Sequence, residues 1–413
     1  MTHFDEKDLL TRELRERSSD VGGHPIGFDA VRSSARRIRR RRTIVAGAVA
    51  VAVAGVALPT GLAVTSAFDP DGRQTPDRIA TSPTPDTAPS PAPTPRADGT
   101  FPLTVHGLPR GEEAGVRYVV RDAKELETPA GTVDLPEAYS MITPYNDGWL
   151  AVGSSRNPEA VIMLDASLEV THTDPAGGFD LAVSDDGSHV AYTVRESGDR
   201  VLLVNAPTDG ADVVTWPVDV PGGESLDPVG FLDDDTVVYN SDAGDVMGIA
   251  RAGGSLTPIE GVLRVDDASE AAGLISVLVS YGVDGGCSGV QDPTSGALLW
   301  KSCDHSNLRF SPDGRLVVAD ASYFDGPGSP TLSVLDARTG EEVVTFTPER
   351  RNTVVGVSQA VWENDETVLA HVDEGGDQAM VRLGTDGATE AVTDVVTVRD
   401  MSLALWFAEH PRR

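Results

Sequence analysis

Residue types able to carry chemistry are thinly spread in this chain. The nearest approach to a nucleophile is Ser358, in Gly356-Val357-Ser358-Gln359-Ala360. A serine on a sharp strand-to-helix turn needs a second glycine and a following helix. Here the second glycine is missing and an apolar strand pattern follows, so Ser358 is read as structural. The eight histidines are scattered, with no His-Glu-x-x-His, no pair at ligand spacing and no glycine-rich phosphate loop nearby. No metal, no cofactor and no enzymatic activity are therefore expected. Asp185 and Asp186, and the run Asp233, Asp234, Asp235, fall where apolar runs reverse direction, and turn chemistry accounts for them. Three irregular stretches supply the candidate binding residues: Tyr323, Phe324 and Asp325 within 322–330; Asp266 and Asp267, with Glu270, within 264–270; and Arg350 and Arg351 within 348–354. Only two cysteines occur, Cys287 and Cys303, equidistant from a turn near Ser295. Antiparallel pairing would bring them face to face, which predicts a disulfide worth about 3 kcal/mol and an oxidising location.

The elements that must position these residues announce themselves by a period. Strand-like apolar runs separated by polar turns recur, with turns centred near Lys124, Ala166, Thr208, Ala252, Thr294, Arg338 and Thr385, at intervals of 42, 42, 44, 42, 44 and 47 residues. A period of about 40–45 residues in a strand-rich chain is that of a four-stranded propeller blade. The predicted class is all-β, a seven-bladed β-propeller over residues 100–413. In such a blade the a-to-b and c-to-d turns share one face, and the b-to-c and d-to-a loops share the other. The irregular stretches above are assigned to the second face, where scaffolds commonly place recognition.

The best-formed unit, residues 307–346, reads Asn-Leu-Arg-Phe-Ser-Pro-Asp-Gly-Arg-Leu-Val-Val-Ala-Asp, a loop, Thr-Leu-Ser-Val-Leu-Asp-Ala-Arg-Thr-Gly, then Glu-Glu-Val-Val-Thr-Phe. Asp313-Gly314 and Thr339-Gly340 are its hairpin turns. Related runs start at Phe179, Val229 and Ala360. With its Phe310-Ser-Pro-Asp-Gly314 hairpin, the region from about 116 to 408 resembles the TolB-like and WD-repeat-like bacterial propellers, although the terminal Trp-Asp of true WD repeats is missing. The resemblance implies a fold and, loosely, a binding role. At the ends of this region, 116–120 and 131–135 read as strands c and d lacking a and b, while 395–399 and 402–407 read as a and b. Six continuous blades and one composite blade, closed by both termini, are expected. The five tryptophans, Trp149, Trp216, Trp300, Trp362 and Trp406, fall on different strands, which predicts packing between blades.

The first 99 residues differ in composition from the rest. Residues 1–42 carry 11 Lys+Arg against 7 Asp+Glu, with six arginines crowded into 36–42. Residues 43–68 hold no charge. As a helix they would extend about 39 Å, enough for a hydrocarbon core of about 30 Å. One transmembrane helix is predicted, with the arginines keeping the amino terminus cytoplasmic and the repeats extracytoplasmic. A cleaved leader ending near Thr65-Ser66-Ala67 is the alternative, but 42 residues with seven acids before the apolar run are unlike one. A twin-arginine signal at Arg36-Arg37 is disfavoured because more arginines follow where that signal wants apolar residues. Residues 69–99 contain eight prolines and seven Ser/Thr. They are read as a disordered polyproline-rich linker that would reach about 90 Å if fully extended.

Of the formal charge of −31, residues 1–42 contribute +4 and 43–99 contribute −2, leaving −33 on residues 100–413. So acidic a domain is repelled by nucleic acid and by anionic lipid, and no nucleic-acid partner is expected. The expected protein is a single-pass membrane protein whose extracellular propeller binds a protein, peptide or glycan. Its contact with the lipid bilayer runs through 43–68. In residues 1–42, Leu10, Leu14 and Val21, then Phe28, Val31, Ala35 and Ile38, follow helical spacing. That tail resembles bacterial single-pass anti-sigma-like regulators, which would make it a dock for a cytoplasmic regulator and the propeller a sensor. It lacks the cysteines of their zinc-binding form. A propeller hydrolase or lyase is a further alternative, and it requires acids or a Ser/His pair to converge in the central channel.

Overall fold

A computed structural model of the chain describes residues 94–409, other than 155, 176, 198–199, 220–225, 242–246, 283–284, 324–327, 349–353 and 400–401. The tail, the apolar run and nearly all of the linker, residues 1–93, lie outside the described residues. So do Phe324, Asp325, Arg350 and Arg351.

The described chain is a seven-bladed β-propeller. Blade 1 is the antiparallel meander Tyr139–Tyr145, Gly148–Ser154, Val161–Leu164 and Val170–Asp174. Blade 2 begins at Gly177–Val183 and ends at Val214–Asp219, and blade 3 runs from Leu226–Asp233 to Ser255–Pro258. Blade 4 runs from Arg264–Ser269 to Ala297–Ser302, blade 5 from His305–Phe310 to Glu342–Pro348, and blade 6 from Val355–Asn364 to Thr389–Ala391. Each blade's four strands pair in chain order, a to d. Strands a to c are buried on both faces and so read as near-continuous apolar runs, such as Val237, Val238 and Tyr239. The outer strands are wet, and Ser255–Pro258 is exposed along its whole length.

The ring closes on a composite blade 7, whose sheet order is Leu405–Phe407, Tyr118–Val120, Glu125–Thr128, Gly131–Asp134. Its division differs from the expected two and two: the carboxy-terminal end gives strand a alone, and the amino-terminal end gives b, c and d. These strands are only three or four residues long, so two hairpins fit where one was read. The turn at Lys124 is accordingly b-to-c, whereas the other six periodic turns are c-to-d. Val396–Thr397 does not form strand a either; it pairs with strand c of blade 6.

Seven buried clusters occupy the seven seams between neighbouring blades, including the seam of Val361, Met380, Leu405 and Phe407 and that of Val119, Trp406, Tyr139 and Ile142. Hydrogen bonds cross the same seams. Four tryptophans donate their indole N–H to a carbonyl of the adjacent blade: Trp216 to Arg251 (2.9 Å), Trp300 to Ala337 (2.8 Å), Trp362 to Arg309 (2.9 Å) and Trp406 to Tyr139 (3.1 Å). The indoles thus fill the seams and satisfy their one donor there.

A strap not anticipated from sequence runs outside blades 5 and 6. Phe101–Leu103 adds a parallel fifth strand to blade 5. Gly111 N–H then donates to the Ala391 carbonyl of blade 6, Ala391 N–H donates back to the Pro109 carbonyl (2.9 Å each), and Gly115 N–H donates to Glu363 (2.6 Å). Arg382 fixes this stretch. It pairs with Glu363 at 2.6 Å, both side chains largely buried, and donates to the carbonyls of Glu112 and Glu113. Burial alone would push the Glu363 carboxyl up, but the Arg382 guanidinium overrides it and holds the group below the usual range. In blade 4, Cys287 and Cys303 form a disulfide beside the Ser288–Ser302 pair of strands c and d.

Candidate functional site: a polar central channel

The a strands line a central channel of about 1570 Å3. Its wall is shaped by a repeated irregularity. In four consecutive blades, strand a carries one residue more than strand b at the same level, which leaves Val229, Asp266, Asn307 with Leu308, and Ser358 at β-bulges. A bulge breaks the strict alternation of side chains and re-aims the extra residue. Val229, Asp266, Asn307 and Ser358 all line the channel.

Around these bulges stands a mixed-charge network. Arg264 donates through Nε to Asp266 Oδ1 (2.7 Å) and through Nη2 to Asn307 Oδ1 (2.8 Å). Asn307 Nδ2 donates in turn to Asp320 Oδ2 (3.0 Å), and Arg309 lies 3.6 Å from the other Asp320 oxygen. Asn307 adopts φ = 50°, a left-handed conformation that asparagine tolerates better than most residues. Asp267 accepts the Phe310 N–H of the next blade (2.7 Å). Asn240, from strand b of blade 3, both donates to the Val265 carbonyl (2.6 Å) and accepts its N–H (2.9 Å). The amide, carboxylate and guanidinium groups are therefore held by neighbouring blades in fixed orientations.

A serine–histidine contact lies in the same wall. Ser358 Oγ is 2.5 Å from His371 Nδ1 on strand b of blade 6. His371 is completely buried, and burial pushes its pKa down to about 4 against the opposing influence of Asp373 and Gln378, so the ring is neutral near pH 7.

The two mouths differ. At the a-to-b turns the channel ends in acids. Ser184-Asp185-Asp186-Gly187 and Ser311-Pro312-Asp313-Gly314 are the same turn: the glycine N–H donates to the serine carbonyl (2.8 Å in both), and the Asp186 or Asp313 carboxylate accepts the serine hydroxyl and the N–H after the glycine. Turn chemistry thus explains Asp186. Asp185 stands where blade 5 has Pro312, so the turn does not require it. Burial pushes the Asp185 carboxyl up to about 6, the Glu270 N–H opposing and Asp186 adding to the effect. Burial, then Asp185, Asp186, Asp234 and Asp233, push Glu270 up to about 7. Among the described residues no three His, Cys, Asp or Glu converge to hold a metal ion. The opposite face carries exposed apolar groups: Leu263, Tyr281, Tyr323 and Val354. Tyr281 and Tyr323 border Gly285-Gly286, where an added Cβ would fall 3.5 Å from Tyr281 Cδ2 and 3.2 Å from Tyr323 Cβ.

Of the residues singled out in the sequence, Tyr323 is exposed on the irregular face. Asp266 and Asp267 lie elsewhere than expected, on strand a of blade 4 and inside the channel, because 264–270 is mostly strand and only its end is turn. The sequence reading gave no role to Arg264, Asn307, Arg309 or Asp320, and it found no partner for Ser358. The available signal was Arg264-x-Asp266 and Asn307-x-Arg309, charged and amide groups at alternate positions of a strand otherwise built to be buried.

No protein-family model and no curated protein matches this sequence. Solved structures share its shape at low identity. The β-propeller domain of Cps50 (Swd1) from Myceliophteria thermophila is 10% identical, with 72% of this chain and 89% of that one covered at a TM-score of 0.42. TolB from Acinetobacter baumannii is 18% identical, with 58% and 68% covered at 0.37. An oligogalacturonate lyase in complex with manganese is 15% identical, with 65% and 88% covered at 0.44. The assignment as a seven-bladed propeller rests on this chain's own strand pairing.

Proposed function

We propose that this chain is a membrane-anchored, extracytoplasmic binding module that takes a protein, peptide or glycan at the mouth of its channel. The observation that carries the reading is the bulged wall: Arg264, Asn307 and Arg309 present hydrogen-bonding groups held in place by the buried Asp266 and Asp320 carboxylates, and Tyr281 and Tyr323 are exposed on the irregular face. Such a surface favours a ligand rich in hydroxyl or amide groups with an apolar face to lay on the tyrosines. Anchoring through 43–68 and the linker 69–99 would display the module outside the cell. The reading assigns binding and requires no reaction.

The test is cross-linking of the intact protein in its native membrane, with mass spectrometry of the captured species. The expected result is an envelope component linked near Tyr281 and Tyr323, lost when both are changed to Ala while the melting temperature is kept. Capture of a transcription factor through residues 1–42, with nothing on the propeller face, would replace this reading with that of a signalling regulator.

A further inference from the structure

The Ser358–His371 pair has features that a purely structural contact does not need. Ser358 is the extra residue of the blade 6 bulge, flanked by Val357 and Gln359, which pair with Val372 and His371. Ser358 is partly exposed and lines the channel, so its hydroxyl can be reached from there. Its oxygen lies 2.5 Å from His371 Nδ1, within the reach at which a base takes a hydroxyl proton. A carboxylate lies along the same strand, near enough to act on the ring through its charge. Asp373 is two residues along the same strand, and so on the same face of the sheet, and it is held by the Gly376 N–H (3.0 Å) and Gln378 Nε2 (3.0 Å). A negative charge there favours the ring once it has taken up a proton, although it makes no hydrogen bond to the second ring nitrogen, which is buried without a partner.

We infer that Ser358 is a nucleophile facing the channel, with His371 as its base, and that it is acylated by small carboxylic esters that enter the channel. In the first step Ser358 Oγ bonds to the ester carbonyl carbon and its proton passes to His371 Nδ1. The carbon–oxygen bond to the leaving group then breaks, and the departing alkoxide takes that proton. In the second step water attacks the acyl-serine, again giving its proton to His371, and the carboxylic acid leaves as Ser358 recovers its hydrogen. Atoms and protons balance with ester and water alone. The inference does not depend on the binding reading, since a reactive ester analogue needs no natural ligand.

The test is to treat the full chain in detergent with a small alkyl fluorophosphonate and to locate the modified serine by mass spectrometry. Labelling of Ser358 at least a hundredfold faster than any other serine is expected, with loss of that label in Ser358→Ala. Because His371 is buried, His371→Gln is judged only if its melting temperature stays within a few degrees of wild type, and labelling is then expected to fall at least tenfold. Asp373→Asn provides the second variant, with slower turnover of p-nitrophenyl acetate expected. Absence of label on Ser358, at a probe concentration that fully labels an authentic serine hydrolase, would overturn the inference. So would equal labelling of Ser358 and other exposed serines, or a folded His371→Gln that labels at the wild-type rate.

Discussion

Glu270→Gln should stabilise the propeller above pH 7 and leave it unchanged near pH 4. Glu270 sits in the a-to-b turn of blade 4, and its Oε1 has no hydrogen-bond partner. Burial and the four nearby aspartates raise its carboxyl from 4.5 to about 7. A carboxyl raised on folding binds its proton more tightly in the native state. Its contribution to stability is full below pH 4.5 and is lost as the pH climbs through about 7. At 1.36 kcal/mol per pKa unit, the undiscounted loss is about 3 kcal/mol. The group is partly exposed, so solvent screening reduces this to about 1 kcal/mol. Glutamine has nearly the same shape and never ionises, so it should recover that amount at pH 8 and almost none at pH 4. In a domain of this size, 1 kcal/mol corresponds to about 2 °C in melting temperature. Melts of both proteins at pH 4, 6 and 8, in 0.15 M and 1 M salt, make the comparison, with the gain shrinking in high salt. A lower melting temperature for the variant at pH 8, or the same shift at all three pH values, would refute the electrostatic account.

Other perturbations probe the ring itself. Gly340 has φ = 72°, and a Cβ there would lie 2.7 Å from the Trp300 ring, so Gly340→Ala should cost about 2–3 kcal/mol, read as a lower denaturation midpoint at unchanged slope. Arg382→Gln leaves Glu363 buried without its partner and should cost about 3 kcal/mol; faster proteolysis within 105–115 would show that the strap has been released with it. Deleting residues 400–413 removes Leu405–Phe407 and uncovers the edge of Tyr118–Val120; with about 2–3 kcal/mol lost for each of Trp406 and Phe407, the cooperative melt should disappear or the protein should associate through the open edge. Reducing the disulfide, or Cys287→Ser with Cys303→Ser, should lower stability by about 3 kcal/mol.

The architecture was legible because a blade is a local meander. Its turns fall at fixed offsets, and a turn such as Ser311-Pro312-Asp313-Gly314 is written in four consecutive residues. What escaped the sequence depends on register. One extra residue in strand a disappears within an interval that already varies from 42 to 47 residues. It does not disturb an alternation either, because strands buried on both faces have none to disturb. Yet those bulges place Asp266, Asn307 and Ser358 in the channel wall, and the fold alone brings His371 to Ser358. The division of blade 7 escaped for a related reason: Tyr118–Val120 and Glu125–Thr128 are too short to show a period. The strap of residues 96–115 has no apolar repeat at all. It is held by Arg96 on Thr347, Phe101 on Phe346 and Arg382 on two carbonyls, contacts over more than 240 residues of sequence.

The two ends of the channel have different chemistry for the same topological reason. Tight a-to-b turns select aspartate, so the mouth they form is acidic before any functional demand is placed on it, and Asp185 and Glu270 add charge that no turn needs. The b-to-c and d-to-a loops are free of that constraint, and Leu263, Tyr323 and Val354 occupy them, with Tyr281 near the end of strand b of blade 4. The surplus of carboxylates at the a-to-b mouth draws cationic groups toward that end. Between the mouths, Arg264 and Arg309 are engaged by Asp266 and Asp320, so the middle of the wall presents hydrogen-bonding groups with little net charge. Ser358 stands on this wall.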